Sequence, residues 1–308
     1  MPDDPKRYLD PVALAKLRNL ELQARLIVEG YLSGMHKSPY HGFSVEFAQH
    51  REYVAGDDLK HLDWKVFSRT GRFYLKQYEE ETNLACWMLV DASESMKYGS
   101  GPTRPDGRPH VSKYDYAAMS AAALAYMVLQ QQDSAGLVTF DDQVRAVLKP
   151  SSQPSNLKQV VNILNAGPGR ERTRLGPIFH DMAERVTRRG IVMVFSDLFG
   201  EPREVLTGLM HLRHRRHEVI VFHVLDRAEE EFPFQESTLF RGMEQLPDLL
   251  TDPRSLRDGY LEQLRLFTEE LEQGCRAQNI DYVRLRTDKP LGLALSTYLA
   301  HRLARKGK

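Results

Sequence analysis

Leu84-Ala85-Cys86-Trp87-Met88-Leu89-Val90 runs straight into Asp91-Ala92-Ser93-Glu94-Ser95. A run of uncharged, mostly apolar residues of this length predicts a strand buried on both faces, as in a parallel sheet. The chain then changes character: a carboxylate and two hydroxyls follow at alternate positions where that strand ends. In open α/β sheets, ligands bind beyond the carboxyl ends of the strands. Asp91, Ser93 and Ser95 are hard oxygen donors of low total charge, a set that suits Mg²⁺ or another divalent cation.

Working outward, strands and helices alternate. Residues 113–132 lack Gly and Pro and are rich in Ala, which predicts a helix lying close to a sheet. Residues 134–140 read as the next strand. Asp141-Asp142 is a tight turn, so the strand at 143–148 has to be an antiparallel edge, because so short a link cannot join parallel strands. Helices are expected at 154–164 and 175–189, and a continuous apolar strand at Ile191–Phe195 ends in Ser196-Asp197. A helix at 202–215, a strand at 219–224, short strands near 238–243 and 248–251, a long helix at 255–278, a strand at 280–285 and a helix at 291–304 complete the pattern. Alternation of this kind predicts an α/β fold with a doubly wound, mostly parallel sheet, helices on both faces and one antiparallel edge strand.

The first 82 residues differ and are read as an N-terminal extension packed on a main domain at 83–308. Leu9, Val12, Leu14, Leu17, Leu20, Leu22 and Leu26 form an apolar stripe over a helix expected at 9–32. The segment 34–83 is dense in aromatics and opposite charges, with a turn at Gly56-Asp57-Asp58 and a strand near Phe73–Tyr78. It is either a small charged subdomain held by ion pairs or a partner-binding surface. The second reading points to Arg51, Tyr53, Asp57, Asp63 and Trp64. Residues 98–112 are rich in Gly and Pro and are expected to be a loop beside the oxygen cluster. His211, His214 and His217, with Arg213, Arg215 and Arg216, read as a solvated basic helix end.

Composition excludes several classes. The 308 residues carry 42 Lys+Arg against 42 Asp+Glu, so no global field favours nucleic acid. Two distant cysteines, Cys86 and Cys275, supply neither a zinc knuckle nor a redox pair. No signal peptide and no bilayer-length apolar run is apparent, so the expected location is the cytoplasm. There is no G-x-x-x-x-G-K-[ST], G-x-S-x-G or H-E-x-x-H pattern.

Two further oxygen donors lie at matching places along the chain. Asp197 ends the 191–195 strand, and Thr173 lies in Gly167-Pro168-Gly169-Arg170-Glu171-Arg172-Thr173, ahead of the helix that leads into that strand. The simpler alternative, a strand-end turn whose Ser and Asp cap a helix, leaves Thr173 and Asp197 unexplained. Asp91-Ala92-Ser93-Glu94-Ser95, then Thr173, then Ser196-Asp197 resembles the metal-ion-dependent adhesion site of von Willebrand factor A domains. The segment 46–82, with Arg51, Tyr53, Gly56-Asp57, Asp63-Trp64 and Arg69, resembles the bacterial "domain of unknown function 58" family, where it precedes a von Willebrand A-like part.

The resemblance implies a metal site of Asp91, Ser93, Ser95, Thr173 and Asp197 that grips an acidic residue of a protein partner, without catalysis. The implied partner is a MoxR-type AAA+ ATPase or its client, in chaperone-like assembly or maturation. Arg172 and Arg174 beside Thr173 depart from the small or acidic neighbours common in relatives; they either weaken the metal or help hold an acidic partner. Two other functions stay open: a metal-dependent phosphatase or hydrolase using the same oxygens, and a metal-free scaffold binding through 46–82.

Overall fold

The computed structural model describes residues 19–35, 84–102, 111–169 and 171–306, with short pieces at 11, 14, 50–52, 67–68, 71 and 74–76. Two compact units emerge: residues 1–37 with 84–308, and residues 38–83. Within the smaller unit, β1 (His50–Glu52) pairs antiparallel with β2 (Tyr74–Lys76), Arg51 opposite Leu75. The strand expected at Phe73–Tyr78 is therefore present as β2. Tyr53, Asp57, Asp63 and Trp64 lie outside the described residues, as does the side chain of Arg51.

The larger unit is built on β3 (Ala85–Asp91), β4 (Ser134–Phe140), β5 (Val144–Ser151), β6 (Gly190–Ser196), β7 (Glu218–Leu225) and β10 (Asp281–Arg286). Their order is β10-β7-β6-β3-β4-β5, parallel throughout except for β5, which runs antiparallel at the edge. This is the mostly parallel, doubly wound sheet that the sequence predicts. The edge position also explains Pro150 inside β5, since a proline removes a ladder donor and is tolerated at a sheet edge. A separate hairpin, β8 (Thr238–Phe240) with β9 (Leu249–Thr251), precedes the long helix of the unit.

Strand periodicity divides the core in two. Cys86, Met88 and Val90 of β3 join one apolar cluster with α1 (Leu20–Met35), α2 (Lys113–Gln130), α3 (Asn156–Leu164) and α8 (Gly292–Lys306). Trp87 and Leu89 face the other, with α4 (Leu175–Arg185), α5 (Pro202–His214) and α7 (Pro253–Ala277). A further helix, α6 (Arg227–Glu231), is a single short turn after β7. Every residue of β3 and β6 is buried, as expected of central strands covered on both sides. α2 lies on the sheet through Ala117, Ala121, Ala122 and Ala125, all fully buried, because side chains of one carbon let the helix backbone approach closely.

Two expectations change. The helix expected at 9–32 is interrupted: Asn19 is not helical, and its side-chain oxygen accepts from the Leu22 amide at 3.1 Å to start α1. Asn prefers a cap to a helix interior because its side chain competes for backbone donors. His217, expected on a solvated basic face, is buried, its Nε2 3.0 Å from the Val186 carbonyl oxygen.

β3 and β6 lie so close at their starts that a methyl on Gly190 would sit 2.0 Å from the Ala85 carbonyl oxygen. Gly190→Ala is expected to destabilise the larger unit by about 3 kcal/mol, the upper end of ordinary overpacking costs, measured as a lowered urea midpoint.

Candidate functional site

The strand order reverses between β3 and β6: from β3 the chain winds outward through β4 and β5, then returns to β6 on the opposite side. Loops leave such a switch point in opposite directions and open a crevice at the carboxyl ends of the strands. Asp91 ends β3 and Ser196 ends β6, with Asp197 immediately after. The fold therefore brings both expected carboxylates to this crevice.

Asp91 is fully buried and held from two directions. Its Oδ1 accepts from the Ser93 amide at 2.9 Å, and its Oδ2 from the Ser196 hydroxyl at 2.6 Å, the short length of a charge-assisted bond. Ser196 in turn accepts from the Leu198 amide at 2.9 Å, which fixes its rotamer. Ser93 and Ser95 place their hydroxyl oxygens 3.1 Å apart, so the two alternate positions converge as expected. Burial first, and the Asp197 charge second, push the Asp91 carboxyl up to about 7, against the opposing pull of its Ser bonds.

Thr173 reaches the site by a loop pinned to the segment after β3. The Gly169 amide donates to the Ala92 carbonyl at 2.7 Å, and the Glu94 amide to the Glu171 carbonyl at 3.1 Å. Among the described residues, the Thr173 hydroxyl is buried with no hydrogen-bond partner. A buried hydroxyl left unpaired costs on the order of 1–3 kcal/mol, and among the described residues Thr173 carries the one buried hydroxyl in that state.

Asp197 is placed differently from the sequence expectation of a free ligand. Its Oδ2 accepts from Lys113 Nζ at 2.8 Å, and the same amine donates to Glu229 at 2.6 Å. The Lys113 side chain is 1% exposed. Burial alone would depress its amine, but Asp197 and Glu229 outweigh this and hold it above its ordinary value. The ring of Phe199 lies 4.6 Å from the ammonium and adds a cation–π contact. Asp197 Oδ1 accepts from the Phe199 amide at 3.3 Å. Lys113 and Glu229 are the functional residues that motif reading misses. One signal was available: Lys113 is the first residue of α2, where a cation opposes the helix dipole and so needs a compensating reason to be there.

The set fits a hard divalent cation by its chemistry. Asp91, Asp197 and the Ser93–Ser95 pair lie at the ends of two adjacent strands, the loop of Thr173 is hydrogen-bonded to the segment after β3, and the Thr173 hydroxyl lacks a partner. No group of three or more His, Cys, Asp or Glu side chains capable of holding a metal occurs among the described residues. Hydroxyls would therefore carry much of the coordination, as the Ser93–Ser95 pair and Thr173 are placed to do.

Residues 49–267 match the family model described as "Protein of unknown function DUF58". The chain is 26% identical over 286 residues to uncharacterized proteins of Mycobacterium tuberculosis and Mycobacterium bovis, covering 91% of this chain and 86% of each relative. Among solved structures it is similar to BatB from Bacteroides thetaiotaomicron, at 14% identity and TM-score 0.47, over 71% of this chain and 98% of that one. It is also similar to the SpRpn10 VWA domain, at 11% identity and TM-score 0.40, over 70% and 95%.

Removing the buried countercharge tests how the site is held together. Lys113→Met leaves Asp197 and Glu229 buried without it, and is expected to cost about 3–5 kcal/mol in chemical denaturation. The loss should be smaller when the substitution is made in a Glu229→Gln background, since one stranded carboxylate is then gone.

Proposed function

The chain belongs to the family described as "Protein of unknown function DUF58", and from that premise we propose that it is a non-enzymatic protein-interaction module whose switch-point crevice binds a divalent cation and, through it, an acidic residue of a partner. The observation that carries this reading is the unpartnered, buried Thr173 hydroxyl beside the loop that bears Ser93 and Ser95. Asp91, Ser93, Ser95, Thr173 and Asp197 would hold the ion, with Mg²⁺ the first choice for an all-oxygen set. A bound cation supplies electrostatic attraction for an incoming carboxylate.

Charge balance supports gripping over hydrolysis. Lys113 already occupies one oxygen of Asp197, so the protein charge available to a cation is lower than two free carboxylates would give. An ion in that setting keeps a strong attraction for an external anion. The same lysine is committed to two carboxylates, so it serves as a countercharge and is unsuited to act as a nucleophile or base. The partner implied by the resemblance at 46–82 is a MoxR-type AAA+ ATPase or its client, and the role is chaperone-like assembly or maturation.

Thermal unfolding with Mg²⁺ against EDTA tests the metal. At 100-fold excess over its dissociation constant, a native-state ligand stabilises by about 2.7 kcal/mol; an upward shift in midpoint is expected for the native chain and none for Asp91→Asn. Equal midpoints in Mg²⁺ and EDTA would overturn the metal reading. For the partner, capture of a purified MoxR-type ATPase is expected to require Mg²⁺ and to fail with Asp91→Asn. Capture that is unchanged in EDTA would point to the metal-free surface at 46–82.

A further inference from the structure

The turn joining β8 to β9 lies against the crevice, and its backbone is unusual. Glu244 and Gln245 both have positive φ, 55° and 64°, and the Leu246 amide donates to the Met243 carbonyl at 3.0 Å. Two left-handed residues inside a four-residue turn are ordinarily Gly, Asn or Asp. For other side chains the conformation costs roughly 1–2 kcal/mol per residue, and such strain persists only where surrounding contacts hold it. Those contacts are present, and they lead to the site.

The Glu244 amide donates to the Glu94 carboxylate at 2.8 Å, and Arg172 Nε donates to the Glu244 carbonyl. Glu94 lies between Ser93 and Ser95, and Arg172 immediately precedes Thr173. The Glu244 backbone is thus clamped between the two loops that carry the site's hydroxyls. Ser95 and Arg172 are the groups that favour the charged form of the Glu244 side chain, which sets the carboxylate on the side of the turn that faces the loop of Ser93 and Ser95. Burial, and then the charge of Asp197, hold that carboxyl above its ordinary value, which places it in the field of the site. Gly242 makes the geometry possible: a methyl there would sit 1.8 Å from the Leu246 carbonyl oxygen.

The strands and the turn of the hairpin are held in different ways. Its strands are packed up to the point where the turn begins: Phe240, the last residue of β8, stacks on Phe232 at 5.8 Å and meets Phe234 edge-on at 5.2 Å. The turn itself has little apolar anchoring, with Leu246 60% exposed. Packing that stops where the turn begins, and a turn held by a few polar contacts, is the arrangement of an element that can lift at one end.

We propose that Glu244 is a built-in competitor for the partner's carboxylate: the turn 241–248 presents the chain's own acid to the crevice, and a partner binds by displacing it. This rests on reading the crevice as a cation site that grips acids. It adds that the free chain is self-occupied, and that the cognate ligand is an acidic residue on a tight turn or short peptide able to replace Met243-Glu244-Gln245-Leu246. Arg172 then has a role that the sequence left open: it holds the backbone of the acidic segment.

Amide hydrogen exchange across 241–248, with Mg²⁺ alone as the ligand, tests this in the full chain. In the native chain, Mg²⁺ is expected to slow exchange at Gly242 and Leu246. In Glu244→Gln, exchange there should be at least tenfold faster in Mg²⁺ and indifferent to its removal, while Mg²⁺ still raises the unfolding midpoint. A fluorescent peptide spanning residues 241–248 should bind Glu244→Gln at least tenfold more tightly than the native chain. Equal exchange in the two chains, or equal peptide binding, overturns the competitor role and leaves the metal reading standing if the Mg²⁺-dependent midpoint shift survives. Absence of that shift in both chains removes the metal reading as well, and the two failures are thereby told apart.

Discussion

Two carboxylates brought to the buried ends of adjacent central strands need a countercharge, and Lys113 supplies it. Burying an ion carries a penalty of several kcal/mol even after relaxation, unless opposite charge and hydrogen bonds compensate. Asp91 is handled by hydrogen bonds from Ser93 and Ser196, and Asp197 by the ammonium of Lys113. The lysine is fixed by its position as the first residue of α2, whose start is set by a reciprocal Ser112–Asp115 capping box. Glu229 belongs to a second such box, at the start of α6, where it accepts from the Asp226 amide at 2.7 Å. Two helix starts and one strand end are thereby locked into one charged cluster, and the crevice takes its shape from them.

The consequence is an unequal pair. Asp91 keeps its partners within the strand-end loops and feels the Asp197 charge as a repulsion. Asp197 has one oxygen paired with Lys113, whose charge it shares with Glu229. A cation in the crevice would therefore draw mainly on Asp91 and on hydroxyl dipoles, which can coordinate Mg²⁺ without neutralising it. That balance separates an acid-gripping site from a hydrolytic one, where charge-rich carboxylate ligands and a free base would be needed beside the ion.

Much of this was legible in the sequence, and for physical reasons. Leu84–Val90 and Ile191–Phe195 are uninterrupted apolar runs because central parallel strands are covered on both faces, and both appear as β3 and β6. The Asp141-Asp142 turn forces β5 to be antiparallel, as found. Ser93, Ser95 and Asp197 could be placed at the crevice because strand ends are fixed once strands are. The buried triad was not legible: Asp197 and Glu229 lie 84 and 116 positions beyond Lys113, and no periodicity links a helix start to a residue beyond a strand five elements later. Glu244 was hidden for a different reason. The short strands expected on either side of it foretold a reversal of the chain, and the hairpin is found, but nothing local to the turn shows which strand-end loops its tip will meet.

Electrostatics ties that turn to the cation. With Asp91 and Asp197 both present, closing Glu244 over the crevice adds a third negative group to one region, and Asp197 resists it. Arg172 donates to the Glu244 carbonyl and its charge offsets part of that repulsion, whereas the Glu94 carboxylate accepting from the Glu244 amide brings more negative charge near. A cation reverses the sign of the largest of these interactions, so cation binding and turn closure favour each other. The coupling is reciprocal by thermodynamic necessity: whatever the ion contributes to holding the turn, the turn contributes to holding the ion. A tethered acid of this kind acts at an effective concentration on the order of millimolar. A single free carboxylate arriving from solution cannot compete with that, whereas a partner that also engages the surfaces around the crevice can. Selectivity then follows from the lid itself, because only a ligand with contacts beyond its acid displaces the residue already there.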